Sequence, residues 1–387
     1  MRCAGQHENP YVFWGITLGV VLFLMYVYPG FLSPVVSHFD GTCRPIALGA
    51  SAEDLRIDPR TGVAYLSYFD RFRGEASSGN ERQQPGTIML MDLNAPEPRP
   101  RAALTTEPAG FSPQGLSLYE AENGPKRLFA VSRSTLDDHS IEIFEQTSTG
   151  AFAPVETIRD RALWSPNGIV AVGPRQFYVT NDSGFKAGDA DDPDRRTERR
   201  LRNNRSNILY FDGTSLRLVA EGLDMANGIA VSPDGKTLYV AEATGRRLTL
   251  FERDSATGAL KLLESEPVHS APDNLTVDAE GNVWIAAHPR ITELRKNLRD
   301  AASRSSSQVL KFTPTAERGH RLSEIYLNDG KEISASTVVA PFRDRLVIGS
   351  VTDHRVLICK RGQLRPPRVA IPRTRPDRDF PRTRVPL

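Results

Sequence analysis

Carboxylates and amides recur in this chain where short apolar β-runs begin: Glu53 and Asp54, Gln114, Asn167, Asn227, Asp273 and Asn274. Asn181 and Asp182 close another such run in YVTNDSGF, 178–185. Groups of this kind carry a desolvation cost wherever they are buried without a partner. Glu53, Asn181, Asn227, Asp273 and Asn274 together supply two carboxylates and three neutral amide oxygens, with no Cys or His. Hard oxygen donors in that ratio, completed by water or substrate, suit Ca2+ better than Zn2+. Neighbours on extended chain point in opposite directions. The doublets Glu53-Asp54 and Asn181-Asp182 therefore suit two ions at different depths, with Asp54 and Asp182 at the deeper one.

The elements that would position these donors repeat. A short apolar strand, a turn and a second apolar strand occur at 54–69, 115–132, 168–182, 228–243, 275–289 and 336–351. Their turns carry Pro-Arg-Thr-Gly at 59–62, Pro-Asp-Gly at 233–235 and Glu-Gly-Asn at 280–282. The copies begin roughly 47 to 61 residues apart, enough for a four-stranded blade with its loops. Six copies predict an all-β, six-bladed propeller over 40–360 whose innermost strands line a central channel. No helix-period segment or glycine-rich phosphate loop competes with that reading.

Outside the repeats, Tyr11 to Tyr28 is an uncharged, mostly apolar run long enough to span a bilayer. It predicts an uncleaved signal anchor over 11–30, with 1–10 cytosolic and the propeller in the lumen or outside the cell. Cys43 and Cys359 would then share the oxidising side and could pair, or could be two unrelated buried thiols. The tail 361–387 holds eight Arg and six Pro and reads as an extended basic segment. A formal charge of +2 argues against a nucleic-acid partner. The stretch 186–207, with six Arg among many charges, reads as a solvated lid. N-glycosylation sequons start at Asn181, Asn204 and Asn274, and Asn204 is the expected glycan site because the other two coincide with candidate ligands.

The stretches SAEDL (51–55), GIVAVGPRQFYVTND (168–182), MANGIAVSPDGKTLYVAE (225–242), DNLTVD (273–278), AAHP (286–289) and SQVLKF (307–312) resemble the serum paraoxonase/arylesterase family. The resemblance runs from about Cys43 to Cys359 and includes the uncleaved N-terminal segment. It implies a catalytic calcium held by Glu53, Asn181, Asn227, Asp273 and Asn274. It also implies a structural calcium held by Asp54, Asp182 and the Leu116 carbonyl, and a Cys43–Cys359 disulfide. The expected activity is calcium-dependent hydrolysis of small lactones or carboxylic esters. Condensation of the strictosidine-synthase kind, isomerisation, and a non-catalytic calcium-stabilised binding propeller are the alternatives.

The sequence departs from that family where a histidine pair is expected. Gln114 stands at one position and Arg133 at the other, and neither can act as a neutral base near pH 7. With Asn167 these two residues are expected in the substrate pocket. Asp273 and His288 are the remaining candidates for moving a proton, His288 being either a base or a bystander. His139 is expected in a loop.

Overall fold

The computed structural model describes residues 14, 17–19, 34–72, 86–121, 124–133, 139–184, 205–315 and 319–362. Most of the expected anchor, the cytosolic segment, the charged stretch through Asn204 and the tail beyond Gly362 lie outside the described residues. Among the described residues no helix is long and apolar enough to cross a membrane.

All six expected hairpins are present as antiparallel pairs. They are Ser51–Ile57 with Val63–Phe69, Pro113–Tyr119 with Arg127–Arg133, and Pro166–Ala171 with Phe177–Asn181. The others are Ala226–Val231 with Thr237–Glu242, Ala271–Val277 with Val283–His288, and Ser336–Phe342 with Arg345–Ser350. Further strands extend each pair outward. The sheets are separate units except where Ser350 pairs with Ala52 and joins the last hairpin to the first. The first strands of successive hairpins touch one another around a closed cycle, and the last touches the first. This is the arrangement of a β-propeller.

Burial explains the hydropathy pattern. The second strands Phe177–Asn181 and Val283–His288 are buried along their whole length, because a neighbouring sheet covers each face. They read as continuous apolar runs rather than alternating ones. Outer strands such as Leu260–Pro267 are largely exposed and carry charges. Between sheets, apolar side chains form shared cores. One unites Leu55, Leu66 and Met91 with Val338, Val347 and Ile358, so residues from both ends of the chain pack together.

That junction is also covalent. The strand Gly41–Ala47 lies antiparallel to Arg355–Arg361, with Cys43 directly opposite Cys359 and the two joined in a disulfide. An N-terminal strand thus completes the C-terminal sheet and ties the two ends of the ring together. One element lay outside the sequence pattern: the helix Ile291–Asn297, too short to show a period. It is anchored at Asn297, whose amide donates to the Ser303 carbonyl and accepts from Thr352 Oγ1, each at 2.7 Å.

Opening the seam should therefore destabilise the ring. Cys43→Ser or Cys359→Ser is expected to cost about 2–5 kcal/mol. Calorimetry should show a lowered Tm that added dithiothreitol does not lower further, whereas dithiothreitol should lower the Tm of the wild-type protein.

Candidate functional site

Each first strand breaks register near its start. The shifts fall between Ala52 and Leu55, Pro113 and Leu116, Pro166 and Ile169, Ala226 and Ile229, and Pro272 and Leu275. The last strand shifts between Ser336 and Val338. A bulge leaves residues unpaired and re-aims their side chains. The unpaired residues are Glu53-Asp54, Gln114-Gly115, Asn167-Gly168, Asn227-Gly228, Asp273-Asn274 and Thr337. The polar residues that stand out in the sequence are therefore the bulge residues, all at the same end of the ring.

Several of their oxygens have no hydrogen-bond partner although they are buried: Glu53 Oε2, Asn167 Oδ1, Asn227 Oδ1 and Asn274 Oδ1. Around Glu53, Asn167 and Asn274 the neighbouring atoms are hydrogen-bonded. Asn274 Nδ2 donates to Glu53 Oε1 at 3.0 Å and to the Glu53 carbonyl at 3.1 Å, and Thr337 Oγ1 donates to that same carbonyl at 2.7 Å. Asn167 Nδ2 donates to Asp182 Oδ2 at 3.0 Å, and Asp182 in turn pairs with Arg133 at 2.8 Å. Arg133 also donates to the Ser165 and Pro166 carbonyls. The Arg133–Asp182 pair thus fixes which end of the Asn167 amide carries the unpartnered oxygen.

Asn181 is placed differently from the expectation. It ends the second strand of its hairpin, where Oδ1 accepts from Ser165 N at 3.1 Å and Nδ2 donates to Ala162 O and Asn207 Oδ1. These partners orient its amide and leave Oδ1 a second lone pair, while Asn167 stands beside Asn227 in the bulge series. The sequence holds the signal for this: Asn-Gly-Ile occurs at 167–169 and again at 227–229. The doublet Asn181-Asp182 drew attention as adjacent donors, but register decides which side chains meet.

The residues expected at the deeper ion are held by contacts within the protein. Asp54 Oδ1 accepts from Arg56 Nη1 and from Leu55 N, both at 2.8 Å, and Oδ2 accepts from Leu116 N at 2.7 Å. Leu116 meets Asp54 through its N–H, and Asp182 Oδ2 accepts from Arg133 and Asn167. Arg56 was not foreseen, since an arginine two residues from a carboxylate looks like an ordinary surface pair.

The remaining expected residues fall into place as follows. His288 is buried, with Nε2 2.8 Å from Asp273 Oδ2 and Nδ1 without a partner. Gln114 is buried at its own bulge. His139, expected in a loop, instead opens the strand His139–Gln146 opposite Arg133 and is buried, because that strand extends the sheet further than its polar start suggests. A surface cleft lined by Asp70, Phe72, Asn297, Thr352, Asp353 and His354 opens at the bulge end of the ring, and Gln114, Arg133 and Asn167 are not among its walls.

Electrostatics mark the centre as needing positive charge. Burial, together with the Asp54 and Asp273 carboxylates, pushes Glu53 up to about 8. Burial likewise raises Asp54 to about 6, against the pull of Arg56 and the Leu116 and Leu55 N–H groups. Among the described residues no three His, Cys, Asp or Glu side chains gather as a metal cluster. The donor set at the bulges is mainly amide, with Glu53 and Asp273 as its carboxylates. Unpartnered oxygens beside two carboxylates fit a hard cation such as calcium.

Fold and site thus define a propeller whose centre presents oxygen donors at one end. Comparison with known proteins places it further: residues 43–361 match the arylesterase family model. The chain belongs to the arylesterase family. It is 33% identical over 316 residues to serum paraoxonase/arylesterase 1 of Rattus norvegicus, covering 80% of this chain and 86% of that protein. It is 31% identical over 319 residues to serum paraoxonase/arylesterase 2 of Homo sapiens, covering 80% and 86%. A solved structure described as a candidate gluconolactonase shares the fold, with a TM-score of 0.50, 15% identity, and coverage of 86% of this chain and 95% of that one. Family membership supports a hydrolase of the esterase type.

A pH dependence follows for the metal-free protein. Glu53 and Asp54 both titrate above their ordinary values when folded, so their neutral forms favour the fold, and that contribution is lost as pH rises through the folded values. In the presence of a chelator, Tm should fall between about pH 5 and about pH 8.5, and Glu53→Gln should flatten that fall. Thermal melts across this range check it, and a Tm that rises with pH in chelator would contradict it.

Proposed function

We propose that this chain is a calcium-dependent hydrolase of lactones or carboxylic esters built on a six-bladed propeller. The observation that carries the reading is the set of buried, unpartnered oxygens on Glu53, Asn167, Asn227 and Asn274 beside the Asp273 carboxylate. Family membership supports the reaction class. Glu53, Asn167, Asn227, Asp273 and Asn274 would hold the ion, and their two carboxylates balance its charge. When bound, calcium supplies positive charge that polarises an acyl carbonyl.

The chain's own groups handle the proton. The Asp273 carboxylate accepts from His288 Nε2, which sets the ring tautomer and leaves Nδ1 as an acceptor. His288 Nδ1 takes a proton from the attacking water, a role that neither Gln114 nor Arg133 can perform. The cleft beside Asp70 and His354 lies at the same end of the ring and offers the acyl group or its leaving portion a place outside the buried centre. We further place the propeller on the oxidising side of a membrane, held by residues 11–28; the Cys43–Cys359 disulfide supports that side.

A panel of lactones and aryl esters assayed with and without calcium tests the reading. Chelation, Asn167→Ala, Asn227→Ala and Asp273→Ala should each abolish turnover. Asn181→Ala should lower Tm yet retain calcium-dependent turnover. His288→Gln should lower kcat by about 10²- to 10⁴-fold with calcium affinity retained. Full turnover in chelator would overturn the assignment.

A further inference from the structure

The second residues of the bulges form a layer of Asp54, Gly115, Gly168, Gly228 and Asn274, of which Asn274 also offers its amide oxygen to the donor set. Three of these five have no side chain, and the geometry shows why. A Cβ on Gly115 would collide with the Asn167 carbonyl, one on Gly168 with the Asn227 carbonyl, and one on Gly228 with the Asp273 carbonyl. Adjacent inner strands therefore meet backbone to backbone at this level, leaving Asp54 as the layer's one carboxylate.

Asp54 is fully buried and its charge is already answered. Arg56 Nη1 donates to Oδ1 at 2.8 Å and to the Leu55 carbonyl at 3.0 Å. The N–H groups of Leu55 and Leu116 donate to the two carboxylate oxygens. The Arg56 side chain is itself 15% exposed, so the pair is a mostly buried one. Asp182 Oδ2 is held by Arg133 and Asn167.

We propose that the Arg56 guanidinium stands in for a second cation, so that the propeller carries one divalent ion at the bulge oxygens and none at Asp54. The inference rests on the reading of those oxygens as the calcium site. Charge agrees with it: Glu53 and Asp273 match one divalent ion, and Asp54 matches Arg56. A second divalent ion would leave two surplus positive charges in a buried centre, where an unpaired charge is strongly disfavoured.

The test is the calcium content of the full chain, by equilibrium dialysis and elemental analysis. Wild type should bind one calcium per chain, Asn227→Ala none, and Asp54→Asn one. Arg56→Gln should lower Tm by about 5–10 °C, as expected for removing one partner of a buried pair. Two ions in the wild type would overturn the inference, as would one ion that survives Asn227→Ala and is lost in Asp54→Asn, or an Arg56→Gln variant with unchanged Tm. No bound ion in the wild type would overturn the reading of the bulge oxygens while upholding the exclusion at Asp54. The wild-type measurement stands even if the variants fail to fold.

Discussion

Carboxylates and amides at the centre of a propeller face a constraint that shapes everything around them: each oxygen withdrawn from water must meet a proton, a cation or a metal. The bulges of the inner strands create the problem by turning Glu53, Asn167, Asn227, Asp273 and Asn274 away from the sheet ladders. Two solutions sit within a few ångströms of chain. Asp54 is met by an arginine and by backbone N–H groups. Beside it, Glu53 Oε2 and the amide oxygens of Asn167, Asn227 and Asn274 have no hydrogen-bond partner in the protein. Around Glu53, Asn167 and Asn274, bonds from Thr337, to Asp182 and between Asn274 and Glu53 hold the neighbouring atoms in place.

The ring keeps that arrangement from opening. Close backbone contact at Gly168 and Gly228 brings the inner strands together, and the shared core around Leu55, Val338 and Ile358 ties the last sheet to the first. The disulfide and the strand Gly41–Ala47 then secure the seam. Rigid strands rather than loops carry the donors, which suits a site whose ligands must converge without rearrangement. The Arg133–Asp182 pair extends the same logic outward by fixing the orientation of the Asn167 amide.

Much of this was legible in the sequence because it is periodic. The turn chemistry and paired apolar runs located all six hairpins to within a few residues, and the polar entry to each inner strand marked the centre. Side-chain placement was harder to read, because three-dimensional register rather than composition decides it. Asn181 draws notice because it adjoins Asp182, and its amide bonds Ser165, Ala162 and Asn207, while the repeated Asn-Gly-Ile marks Asn167 as the counterpart of Asn227. Arg56 was invisible as a counter-ion because its meaning depends on the glycines of other strands, sixty and more residues away. The helix Ile291–Asn297 is too short to have a period, and Thr337 carries no charge to draw notice.

The central claim is that the unpartnered oxygens of the bulges hold a single calcium ion. Anomalous diffraction from crystals grown with calcium tests it most directly. The account predicts one strong peak per chain, coordinated by Glu53, Asn167, Asn227, Asp273 and Asn274, with the Asp54–Arg56 pair intact beside it. A second peak at Asp54, or a peak ligated by Asn181 in place of Asn167, would contradict it.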